Sequence, residues 1–177
     1  MNGRGPLVAL AGYLVFLISH RGFELVVSAR NERVLRARGA YQVGHSHFLL
    51  FVLLHTAYPA ALIAEVVVLG TRPGRLWPLW ASLVAAALAL RIAAHQALGG
   101  RWTARIWVVP GMAPVTGGIY RWLRHPSYAG ITIELAAGAL LFGAWRTALL
   151  ASGLNLIALA VRIPLEERAL AEATARR

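Results

Sequence analysis

Gly117-Gly118-Ile119-Tyr120-Arg121-Trp122-Leu123-Arg124-His125-Pro126-Ser127-Tyr128 sets two arginines, a histidine, a proline and three aromatic rings into one connection between long apolar runs. Pro126 disfavours helix at His125 and suits the first helical position, so a helix is expected to begin there and to continue through Ala129. His125 and the Arg124 backbone would then lie where free N–H groups collect, a setting for an anionic part of a ligand. The competing interpretation of the same residues is a basic juxtamembrane loop with interfacial aromatics.

The runs on either side set the class. The chain has 177 residues, 58% of them hydrophobic, with arginine as its only strong cation and glutamate as its only acid. This is too apolar for an ordinary soluble domain and suits a small bundle of membrane spans. The formal charge of +11 raises the question of nucleic acid. The arginines fall mainly in the gaps between apolar runs, however, and form no basic face interleaved with exposed aromatics, so no nucleic-acid partner is expected. Attraction to anionic lipid and retention on the cytoplasmic side explain them better. Without cysteine, disulfides, thiolate zinc sites and Cys nucleophiles are excluded, and no metal site is expected.

Pro6 to about Val27 is the first expected span, kept rather than cleaved because Arg21 and Glu24 follow the apolar run without a small-residue cleavage site. Ala29 to Arg38 predicts a helical extension that stops at Gly39. Phe48 to Leu69 and Leu76 to about Leu98 are the second and third spans, joined at Thr71-Arg72-Pro73-Gly74-Arg75. Within Gly99 to Ser127, Ile106 to Val109 has extended character, yet Pro110 and Pro114 argue against a sheet. Tyr128 to Phe142 and Thr147 to Val161, each short for a span, suggest a tight hairpin. The expected architecture is an all-α polytopic membrane bundle of about five transmembrane helices in a single domain. Residues 1–98 supply three spans, 99–127 a cytoplasmic connection bearing the cofactor site, 128–161 the hairpin and 162–177 a cytoplasmic tail. Arg4, Arg72, Arg75 and Arg146 mark the sparse side and the remaining loop and tail arginines the rich side. The positive-inside bias therefore puts the amino terminus out and the carboxyl terminus in, across the inner (cytoplasmic) membrane of a cell.

A second cluster lies at Asn155, Arg162, Glu166 and Glu167. On a continuous helix Asn155, Leu159, Arg162 and Glu166 share one face, although Pro164 is expected to kink the helix or restart it. An ordinary Arg–Glu pair on a solvated helix end would look the same. Arg21 and Glu24, three apart, suit mutual neutralisation on one face. Glu65 and Glu134 are carboxylates inside spans, where a functional role is the default.

Taken together, the Arg124-His125-Pro126-Ser127-Tyr128 element and the downstream Arg162-Ile163-Pro164-Leu165-Glu166-Glu167 resemble the isoprenylcysteine carboxyl methyltransferase family of integral-membrane methyltransferases. The likeness covers roughly Gly99 to Leu170. Arg30-Asn31-Glu32-Arg33 and Arg101-Trp102-Thr103-Ala104-Arg105-Ile106 look more like its bacterial branch, some members of which O-methylate long-chain alkylpyrones. The resemblance implies S-adenosylmethionine as cofactor, with Tyr120, His125, Pro126, Ser127, Tyr128 and Glu166 around it and Met112, Ala113, Pro114 and Val115 contributing mostly backbone. It implies that Arg162 faces the methyl acceptor, an alkylpyrone-like or prenylated lipid drawn from the bilayer. A carboxylate acceptor would need no general base, whereas a hydroxyl would use Glu167 or His125. His45, His47, Glu134 and Asn155 are further candidates for the substrate head. Met112 stands where eukaryotic members have a histidine, and the aromatic-rich tail of many relatives is not in the sequence. Two rival classes are a small haem-binding cytochrome, prompted by His45, His47, His55 and His95, and a non-catalytic membrane scaffold.

Overall fold

The computed structural model describes residues 4–175, with the side chains of Arg4, Ser46 and His47 outside the description. Five α-helices carry the chain: α1 Arg4–Ala37, α2 His45–Ile63, α3 Trp77–Leu98, α4 Pro126–Leu140 and α5 Trp145–Ala175. α2 continues into one wider π-helical stretch, Ala64–Val68. Four segments are long and apolar enough to cross a membrane, namely Gly5–Ala37, Phe48–Val68, Trp77–Arg101 and Trp145–Ala175. The protein is a multi-pass membrane protein, and its outward apolar side chains, such as Val8, Leu49, Leu149 and Ile157, are exposed as lipid-facing positions are.

α1 spans 34 residues, about 51 Å of helix, and so extends well beyond a single bilayer crossing. It ends where the sequence indicated. Gly39 takes φ +79°, its N–H donates to Arg36 O, and Ala40 N–H donates to Leu35 O, a Schellman closure. Gly143 (φ +73°) closes α4 in the same way, through Gly143 N–H to Leu140 O and Ala144 N–H to Ala139 O.

Two features depart from the sequence expectations. Tyr41–Val43 (β1) and Ile106–Val108 (β2) pair antiparallel, with Gln42 opposite Trp107, so the connection after α3 does carry a small sheet. Pro110 lies just past the strand, where it removes no ladder donor. The sheet packs Ile106, Val108 and Val43 onto Ala169 and Ala173 of α5. α5, in turn, runs unbroken through Pro164, joining the expected hairpin arm and the first part of the tail into one helix. Contacts on both sides of the proline hold it: Arg162 bonds the 99–127 connection, and Glu166 and Glu167 bond residues at the start of α4.

The intramembrane carboxylates are satisfied internally. Glu65 accepts bonds from Arg146 N (3.1 Å), Thr147 N (2.7 Å) and Thr147 Oγ1 (2.7 Å), placing its charge on the free donors at the start of α5. Arg91, only 1% exposed, bonds both Glu134 and Glu24. Arg21 completes the square, 3.0 Å from Glu24 and 3.3 Å from Glu134. Two arginines and two glutamates thus join α1, α3 and α4 without net charge.

α4 approaches α3 closely at Gly130, where an added Cβ would lie 2.6 Å from Arg91 Cγ and 3.0 Å from Ala87 O. Arg91 cannot swing aside without breaking the ionic square. Gly130→Ala is therefore expected to cost about 1–3 kcal/mol through overpacking. A lower thermal midpoint in detergent checks this, and an unchanged midpoint contradicts it.

Candidate active site

α4 begins at Pro126, with His125 as its N-terminal flanking residue at φ −131° and ψ 61°. This is the start that the His-Pro pair predicts, and it leaves the His125, Ser127 and Tyr128 side chains along one wall of a cavity of about 760 Å³. Pro126 is itself fully buried and does not line the cavity; its part is to fix the turn.

The late arginine–glutamate turn forms the adjoining wall. Arg162 Nε donates to the Tyr128 hydroxyl at 2.7 Å, and that hydroxyl donates to Glu166 Oε2. Arg162 Nη2 donates to Ala104 O at 2.7 Å, and the guanidinium lies over the Phe51 and Tyr128 rings at 5.1 and 5.5 Å. Among the described residues Arg162 forms no ion pair and is 5% exposed, so its charge is held by neutral acceptors and ring faces. A buried cation held in this way keeps attraction for an anionic ligand group.

The third wall is backbone. Arg101 Nη1 donates to Ala113 O at 2.9 Å, and Gly111 N–H donates to Ala173 O at 2.9 Å, together holding Met112–Val115 against the cavity. Tyr120 faces the same space, and burial pushes its hydroxyl up to about 12, so it acts as a neutral donor or acceptor. The Ser127 hydroxyl is buried beside the Tyr120 hydroxyl. From this end the cavity extends past Phe48, Phe51 and Val52 of α2 and Leu17 and Ile18 of α1, and most of its wall is apolar, although Arg21, Glu24 and Arg91 of the ionic square also reach it.

The remaining candidates divide. Asn155 lies on the cavity wall, fully buried, with its Nδ2 donating to Thr132 Oγ1 at 2.9 Å. Glu167 sits on the rim, half exposed, and accepts a bond from His125 Nε2 at 3.0 Å. It is outside the cavity, so its part there runs through His125. Glu134 is also outside: its carboxylate is taken up by Arg91 and Arg21, which gives it a structural task and no access to a substrate head. His45 is exposed at the start of α2 and does not reach the cavity wall. The His47 side chain lies outside the described residues. Among the described residues no three His, Asp or Glu side chains gather as a metal site would require.

Some cavity residues escaped the sequence reasoning. Phe51 on α2 had no motif to single it out, His55 and His95 entered only through the haem alternative, and Trp102, with its ring centroid 4.0 Å from that of His95, only as part of the bacterial-branch resemblance. Arg101 and Ala104 stood in a quoted stretch, but a backbone-directed bond leaves no mark in a sequence.

The fold and the site define a multi-pass helical membrane protein with a cavity of about 760 Å³ where the His125–Tyr128 corner meets the Arg162–Glu166 turn. Residues 80–172 match the isoprenylcysteine carboxyl methyltransferase (ICMT) family, and the chain belongs to it. Family members are membrane methyltransferases that typically use S-adenosylmethionine. The chain is 35% identical over 159 residues to the uncharacterized protein YpbQ of Bacillus subtilis (strain 168), covering 90% of this chain and 95% of that protein. It is 29% identical over 155 residues to an uncharacterized protein of Haemophilus influenzae (strain ATCC 51907 / DSM 11121 / KW20 / Rd), covering 87% and 90%. No solved structure matches it.

Proposed function

We propose that this protein is a membrane methyltransferase that uses S-adenosylmethionine to methylate an oxygen on the polar head of a lipophilic acceptor. That oxygen belongs to a carboxylate or to an enolic or phenolic hydroxyl, as on a prenylcysteine or an alkylpyrone. The active site faces the cytoplasm from the inner membrane, and the acceptor comes from the bilayer. One observation carries this reading: the His125–Tyr128 corner and the Arg162–Glu166 turn line one cavity, which continues between largely apolar walls of α1 and α2.

The residues present fit the cofactor. The neighbouring Ser127 and Tyr120 hydroxyls suit its polar groups, and the Glu166 carboxylate with the stacked His125 and Tyr128 rings (5.4 Å, 14°) suits a cation. Met112–Val115 would hold it through backbone atoms. The sulfonium supplies an already activated methyl group. The chain's own task is then alignment and exclusion of water. Arg162 holds the acceptor oxygen as an anion, stabilising a carboxylate or lowering the pKa of a hydroxyl. For a hydroxyl acceptor, His125 takes the proton at Nδ1 while its Nε2–H stays on Glu167, which stabilises the imidazolium. The apolar slot between α1 and α2 takes the lipid tail.

Incubating the purified protein with labelled S-adenosylmethionine and lipid extract is expected to give a labelled, methylated lipid detected by mass spectrometry. No calorimetric binding of the cofactor would overturn the reading and favour a non-catalytic scaffold.

A further inference from the structure

Arg162 owes its direction to two neutral acceptors, the Tyr128 hydroxyl and the Ala104 carbonyl. The second has a support of its own. Ala104 N–H donates to Ser28 Oγ at 2.9 Å, so residue 104 is clamped through both its backbone groups, by α1 on one side and by α5 on the other. Ser28 Oγ donates to Glu32 Oε1 at 2.8 Å, and Glu32 Oε2 accepts from Arg105 Nη1 at 3.0 Å. Thr103 Oγ1 closes the bend by donating to Arg105 O at 2.6 Å. Ser28 and Glu32 are 2% and 6% exposed. Both lie outside the matched residues 80–172.

We propose that Ser28 and Glu32 are positioning residues for Arg162, acting through the backbone of Ala104. Each link is oriented by the next. The carboxylate of Glu32 fixes the Ser28 hydroxyl as a donor toward it, which turns an oxygen lone pair toward Ala104 N–H. Without that acceptor the 104 backbone is free to rotate, its carbonyl leaves Arg162 Nη2, and the guanidinium keeps only the Tyr128 bond. The geometry stands by itself, while its kinetic consequence rests on the methyltransferase reading.

The test uses the full chain in lipid nanodiscs and reads Arg162 directly. Phenylglyoxal modification of Arg162, followed by peptide mass spectrometry, is compared with modification of Arg91, which belongs to the separate ionic square. Ser28→Ala is expected to raise the Arg162 rate several-fold and leave Arg91 unchanged. Ser28→Thr keeps the hydroxyl and is expected to restore the slow rate, with Glu32→Gln between the two. With an active acceptor, Ser28→Ala is expected to lower kcat several-fold while the KM for cofactor stays constant. An unchanged Arg162 rate in Ser28→Ala, or a rise shared equally by Arg91, overturns the proposal. A rise confined to Arg162 in a protein that transfers no methyl group sinks the methyltransferase reading and leaves the positioning chain standing.

Discussion

Arg162→Ala is expected to lower turnover by about 10²–10³-fold, the loss typical of removing one preorganised charge-stabilising donor. Cofactor affinity should change less than turnover, because the guanidinium meets the cofactor wall only at the Tyr128 hydroxyl and its other bond goes to Ala104 O. Arg162→Lys keeps the charge but has one ammonium where the arginine directs separate nitrogens to two acceptors, so it should recover only part of the rate. Paired measurements of turnover and calorimetric cofactor binding check this. Wild-type turnover in Arg162→Ala would remove the residue from the site. Equal losses in binding and turnover would instead move it to the cofactor wall.

The second large effect concerns stability. Arg91→Leu is expected to cost about 3–5 kcal/mol, because it leaves Glu24 and Glu134 sharing the single cation Arg21 in a buried, intramembrane setting. The damage lies in the uncompensated charge, so removing that charge should repair it. In Arg91→Leu/Glu134→Leu, the Arg21–Glu24 pair remains neutral by itself, and the midpoint of thermal unfolding should return most of the way to wild type. A double variant as unstable as the single one would show instead that the arginine stem, packed against Gly130, supplies the stability.

The legible and illegible parts of the molecule follow from the range of the forces involved. Pro126 and Gly39 act on their own neighbours, so a helix start and a helix stop were evident from residue type alone. The span boundaries likewise followed from local hydropathy, with α3 ending at Leu98 as expected. Pairing across long chain separations was another matter. Nothing near Val43 signals that it will lie opposite Ile106, and the prolines after β2 argued the wrong way because they flank the strand rather than interrupt it. Glu65 and Glu134 invited functional roles because a carboxylate in lipid demands a partner, yet those partners, Thr147 and Arg91, are far away in sequence. The links through Ser28, Ala104 and Arg101 run to backbone atoms, which every residue carries, so residue type could not announce them. Pro164 was the reverse case: a strong local signal for a break was overridden by anchoring bonds on both of its sides.

One helix is conspicuously short. α4 has 15 residues and rises about 22 Å, against a hydrocarbon thickness of about 30 Å. Its far end does not hang free: Gly143 abuts Arg72 O, so the 70–76 turn lies over the tip of the hairpin. α4 is not among the four segments long and apolar enough to cross a membrane, so beside it the bilayer meets a shorter apolar wall than beside the other helices. Since α4 begins at Pro126, beside His125, a change in bilayer thickness is expected to act on the helix that carries the candidate site, and long-chain lipids are expected to lower its activity relative to short-chain ones.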